Sequence, residues 1–193
     1  MEREYKFYGW KDTDIKPVNE EYAIIGNPRV LYDVLTEIWS KEGKTVERSL
    51  ATAFVTQDIF GGNVYGRVLD GGDYHCYNVV DGHVFDLTSE QLLDGALTYD
   101  TEHEQLREDH LSRKEIYDYY IFLKDELKKK MGKLKLISLL DRAIRGDVDA
   151  AGEVAIAYYT GELGEKNLPK AKKWALYATK RGSKLDLERI ARL

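Results

Sequence analysis

The sequence predicts an α+β fold, a central helix packed on a small antiparallel sheet, followed by an α-helical repeat module. Three observations predict it. Residues 74–91 (YHCYNVVDGHVFDLTSEQ) read as a β-hairpin, and a largely apolar helix at 49–60 precedes them. The last third is helical, with Gly146-Asp147 and Gly182-Ser183 standing 36 residues apart (146 to 182), each after a helical stretch. The expected organisation is an α+β domain over 1–98, a helical connector over 99–133 and a helical repeat over 134–193.

The N-terminal 26 residues are aromatic and charged without a clear period, which predicts an irregular or short-strand arm. Asn27-Pro28 then starts a helix, with Asn at the N-cap and Pro at the first helical position. Val30, Leu31, Val34, Leu35, Ile38 and Trp39 recur at helical spacing and should face the core, and Gly43 suits the C-cap. Ser49 opens the next helix (SLATAFVTQDIF), closed by Gly61-Gly62. Leu50, Ala53, Phe54 and Gln57 form one stripe with Ala51 and Val55 beside it, the pattern of a central helix.

Residues 63–69 (NVYGRVL) form a strand, 70–73 a Gly-rich turn, and the hairpin follows. Asp81-Gly82 is the strongest short hairpin signal in the chain, with 83–87 as the return strand. Thr88 to Gln91 has capping-box spacing and begins a short helix ending near Asp94-Gly95. Residues 101–130 hold one or two charged helices. The lysines at 124, 128, 129, 130, 133 and 135 fit a solvated linker face in an acidic chain better than the alternative, a nucleic-acid or lipid patch. Beyond Leu134, Ala150, Ala151, Ala155, Tyr158, Tyr159, Gly161, Ala171, Trp174 and Ala178 predict small residues at helix contacts with aromatics between them.

Composition bounds the function. With 43% hydrophobic and 33% charged residues in 193, the chain can build an ordinary core. A net charge of −5 gives no general attraction to nucleic acid or anionic membrane, so neither is expected as a partner. There is no apolar run of membrane-span length and MEREYKFYGW is not a signal peptide, so the expected location is the cytoplasm. The single cysteine, Cys76, excludes an internal disulfide. His75, His83, His103 and His110 make no metal-ligand spacing with it, and no metal or cofactor is expected.

The chemistry sits on the hairpin. With a two-residue loop, Val80 pairs with His83 and Asn78 with Phe85, so His75, Tyr77 and Asp86 share a face and Cys76 points the other way. His75 is diagonal to Asp86 and within reach of an imidazole–carboxylate bond, two members of a nucleophilic triad. An exposed His and a solvated Asp on a half-wet sheet fit the same letters. Ser49 likewise has two readings. It is a cap whose hydroxyl satisfies an orphan N–H, or it stands where backbone N–H groups and the helix dipole favour a nucleophile's anion.

TAFVTQDIFGGNVYG followed by the hairpin closely resembles a family of small bacterial proteins labelled YunG-like, itself similar to the papain and transglutaminase cysteine hydrolases. The shared elements are Gln57-Asp58 with Gly61-Gly62, His75 with Asn78, and Asp86-Leu87-Thr88 with Gln91. The family's leading G-Q-C is broken here: its cysteine falls on Ser49, and its Gly-Gln on Glu47-Arg48. The resemblance implies a papain/transglutaminase-like core with Ser49, His75 and Asp86 as nucleophile, base and orienter. A serine there has no accessible anion at neutral pH and needs full general-base help, whereas a cysteine forms a ready ion pair with His. The implied function is a degenerate cysteine-hydrolase relative that binds a peptide or protein partner with little or no turnover. The alternative is an active amidase, protease or acyltransferase using that triad.

Residues 136–185 resemble the Sel-one-like branch of the tetratricopeptide superfamily, through Gly146-Asp147, Ala150, Tyr158, Gly161, Ala171, Trp174, Ala178 and Gly182. That resemblance implies a protein or peptide partner docked by the C-terminal repeat.

Overall fold

The computed structural model describes residues 15–41, 48–69, 74–92 and 97–193. Gly43, the turn at 70–73 and the expected helix end at Asp94-Gly95 lie outside them. The chain forms two compact units, Met1–Leu127 and Lys128–Leu193.

In the first unit a 3-10 turn, Glu20–Ile25, leads into helix α1, Pro28–Trp39. The Asn27 side chain accepts from the Val30 amide at 3.1 Å, the capping bond the sequence predicts. Leu31, Val34, Leu35, Ile38 and Trp39 are all buried. Helix α2, Arg48–Phe60, is buried on nearly every side, which only a helix enclosed within a core can be. It begins one residue before the expected start, so Ser49 lies in its first turn rather than at the cap.

Strands β1, Asn63–Val68, β2, Tyr74–Val80, and β3, His83–Phe85, form an antiparallel sheet in that order. The hairpin register is the expected one, Val80 with His83 and Asn78 with Phe85. Asp81 and Gly82 both take positive φ, 50° and 79°, as a two-residue type I′ loop requires. The return strand stops at Phe85, two residues short of expectation, because the chain turns at Leu87 and Thr88 to enter the 3-10 turn Ser89–Gln91. Residues 103–105 pair along the free edge of β1: the Gly66 amide donates to His103 O at 3.0 Å, and the Gln105 amide to Val64 O at 2.8 Å.

Helix α3 is the short Arg107–His110, and α4 runs unbroken over Lys114–Ile144, through the boundary expected at 133/134. Its first turns are tied to α2 through Asp58. That carboxylate accepts from Tyr120 Oη at 2.6 Å, Arg107 at 2.7 Å and Lys124 at 2.9 Å. Burial pulls the Lys124 ammonium down, but its bonds to Asp58 and Tyr120 outweigh that and hold it above its ordinary value.

The second unit contains the end of α4, α5 (Val148–Thr160), α6 (Leu168–Lys180) and α7 (Glu188–Ala191). Asp147 caps α5 by accepting from the Ala150 amide at 2.9 Å, and Gly161 ends it in the left-handed region. Ala150, Ala151, Ala155, Ala171, Ala175 and Ala178 are fully buried, so small side chains let α5 and α6 approach closely.

Candidate functional site

The hairpin joins His75 to Asp86. Nε2 of His75 lies 2.7 Å from Oδ2 of Asp86, with the two residues 2% and 0% exposed. The same oxygen accepts from Tyr99 Oη at 2.9 Å, while Oδ1 accepts from the Thr88 amide at 3.0 Å and the Thr88 hydroxyl at 3.1 Å. Four donors converge on one buried carboxylate, which is how a charge is tolerated away from water. Thr88 therefore serves Asp86 and makes no side-chain cap to the 3-10 turn that follows, which corrects the capping-box expectation. With Nε2–H given to Asp86, Nδ1 is the ring nitrogen left to take a proton from a nucleophile.

Ser49 arrives from a different direction. Strand alternation puts His75 and Tyr77 on one face of β2 and Cys76 and Asn78 on the other. The Asn78 amide donates to Ala53 O at 2.8 Å, so the Cys76/Asn78 face is the one against α2. Ser49 rides on α2 and meets the strand at its backbone: its Oγ accepts from the Cys76 amide at 3.3 Å. Alternation from the closing Val80–His83 pair turns that amide towards β3, which has already ended, so the hydroxyl takes a bond the ladder leaves open. Among the described residues no hydrogen bond joins Ser49 to the imidazole. The serine is 3% exposed and adjoins the peptide linking His75 to Cys76.

Cys76 is 2% exposed, and burial, aided by the Asp86 charge, pushes its thiol up to about 12. It is inert to ordinary thiol chemistry there, in keeping with the reading of a small buried hydrophobe. Trp39 is likewise a buried core residue, with the Arg48 guanidinium 5.2 Å over its ring. Nearby, Tyr32 donates to Glu90 at 2.8 Å, and burial raises the Glu90 carboxyl against the opposing pull of that bond and of Arg48.

Sequence reasoning did not find Tyr99, the fourth donor on Asp86. It lies in an irregular stretch with no period to place it. The one available signal is chemical, since a buried carboxylate has more acceptor sites than His75 and Thr88 fill. Arg107 was missed as well. It donates to Gln57 Oε1 at 2.8 Å and Phe54 O at 2.8 Å, pinning the second half of α2.

The first unit is thus a mixed α+β fold in which a buried helix lies on a three-stranded antiparallel sheet carrying a His–Asp pair. The chain belongs to the YunG protein family, whose model matches residues 30–132, just over half of it. Over 53 residues it is 40% identical to the uncharacterized protein YunG of Bacillus subtilis (strain 168), a match covering 28% of this chain and 45% of that relative. The chain therefore spans less than half the length of the curated relative it matches. No solved structure matches it. Among the described residues, no helix is long and apolar enough to cross a membrane.

Proposed function

We propose that this chain is a degenerate relative of the papain and transglutaminase hydrolases, which binds a peptide or protein partner with little or no turnover. The observation that carries this reading is the Ser49 hydroxyl, 3% exposed and engaged as acceptor by the Cys76 amide. A serine needs a base on its proton during attack, and among the described residues no hydrogen bond joins this hydroxyl to the imidazole. The second unit, related on this reading to Sel-one-like repeats, docks the partner. Reactive probes test the site. A fluorophosphonate should leave Ser49 unlabelled, whereas an adduct there would make the chain a working serine hydrolase.

A second reading has its own support. The His75–Asp86 pair at 2.7 Å, buried and fully satisfied on the carboxylate side, is the part of a triad that orients a base. On that reading the chain is an amidase, protease or acyltransferase using Ser49, His75 and Asp86, or a cysteine in the position of Ser49. A thiolate at position 49 would accept the Cys76 N–H and lie in the first turn of α2, two features that favour an anion. Iodoacetamide treatment of a Ser49→Cys variant near neutral pH separates the two. Rapid labelling at position 49 supports an inherited thiol site, and none removes the hydrolase ancestry as a working geometry.

A further inference from the structure

The two units carry opposite charge. Met1–Leu127 contains 13 Lys and Arg against 26 Asp and Glu, a net −13, whereas Lys128–Leu193 contains 16 against 8, a net +8. The chain's modest total of −5 conceals this asymmetry.

Within the second unit a basic run free of acids covers α6 and its flanks. Residues 166–185 hold seven Lys and Arg and no Asp or Glu. Ala171, Ala175 and Ala178, all fully buried, turn one side of α6 into the core. The opposite side presents Leu176, 40% exposed, with Lys173 and Lys180 one turn either side of it. Among the described residues, neither lysine has an ion-pair or hydrogen-bond partner.

A single-stranded nucleic acid needs open aromatic faces for base stacking. Here three of the second unit's rings carry a cation instead. Arg181 sits 3.8 Å over the Tyr177 ring, Lys170 5.1 Å over Tyr158, and Lys166 5.8 Å over Tyr159. The outward side of α6 is a basic helix face with one apolar spot, complementary to an acidic protein surface. The first unit offers one. Residues 100–109 contain five acids and one arginine, and that Arg107 is already bound to Asp58. Glu102, Glu104, Glu108 and Asp109 are exposed.

We propose that the outward face of α6 docks on the acidic unit of a second copy of this chain, head to tail. This deepens the docking role proposed for the second unit by naming the partner, and it is independent of the Ser49 site. Each exposed ion pair contributes little, so several must act together and the association is weak and salt-sensitive. Such a contact is heterologous and need not close, so the species grows with concentration.

Sedimentation velocity on the full chain tests it, at about 25 mM and about 500 mM salt, where the screening length falls from roughly 20 Å to roughly 4 Å. The expected result is concentration-dependent association at low salt and a single copy at high salt. Lys173→Glu with Lys180→Glu should weaken association about tenfold or more, and so should Glu108→Lys with Asp109→Lys. An equimolar mixture of the two variants should restore it, because each then supplies the other's complement. All four positions are exposed, and unchanged circular dichroism checks that the variants fold. A single copy at low salt, association that both variants retain, or a mixture that stays apart overturns the proposal. Poly-L-glutamate binding that the α6 reversal abolishes, without self-association, keeps the second unit as a docking module and overturns the second copy as its partner.

Discussion

Oδ2 of Asp86 lies 2.7 Å from Nε2 of His75 and, in the same instant, accepts the Tyr99 hydroxyl at 2.9 Å. The carboxylate is therefore a junction between the hairpin and the segment after it, as well as the partner of a histidine. Asp86→Asn replaces an acceptor oxygen by a donor amide, so at least one of the four donors faces another donor. It should lower the stability of the first unit by about 3 kcal/mol, whereas Tyr99→Phe, which removes one donor, should cost about 1 kcal/mol. Urea unfolding midpoints give both values. Equal losses from the two variants would mean that Asp86 does not organise the network.

The Cys76 thiol predicts a pH dependence with a definite sign. Burial raises it from its ordinary 9.0 to about 12, so above pH 9 the unfolded chain loses a proton that the folded one keeps. Stability should accordingly fall as pH rises from 9 towards 12, and Cys76→Ala should flatten that decline. A disulfide reagent at pH 8 should modify the thiol only in denaturant.

Gly62 is required by the sheet. Its φ is +72°, and a Cβ there would stand 2.3 Å from Val79 O and 2.9 Å from the Val80 side chain. Gly62→Ala should destabilise the first unit by about 3 kcal/mol or more, through left-handed strain added to a backbone clash that no rotamer relieves. A thermal melt of the full chain measures the loss.

Asn78 donates to Ala53 O from a site only 2% exposed. Asn78→Asp would turn a carboxylate against a carbonyl and should cost about 3 kcal/mol at pH 7. The introduced carboxyl would be raised above its unfolded value, so stability should recover as pH falls towards 4 and decline as it rises. Guanidinium titrations at pH 5 and 7.5 compare the two, with Asn78→Ala as the variant that shows no such recovery.

Much of this protein was legible as letters. The Asn27 cap, the buried stripe of α1, the Asp81-Gly82 loop, the hairpin register and the His75–Asp86 diagonal all follow from local spacing, because strand alternation and helical period act between near neighbours. The alanine seam between α5 and α6 was readable too, since small residues at helical spacing mark close approach. Only the tertiary structure decided the rest: that Tyr99 completes the Asp86 network, that Asp58 gathers Arg107, Tyr120 and Lys124, and that Ser49 meets the Cys76 amide. Each of these joins residues brought close by packing, with no period along the chain to announce it. The orientation of a single hydroxyl at a helix start depends on which strand amide the end of β3 leaves open, and that is settled in three dimensions.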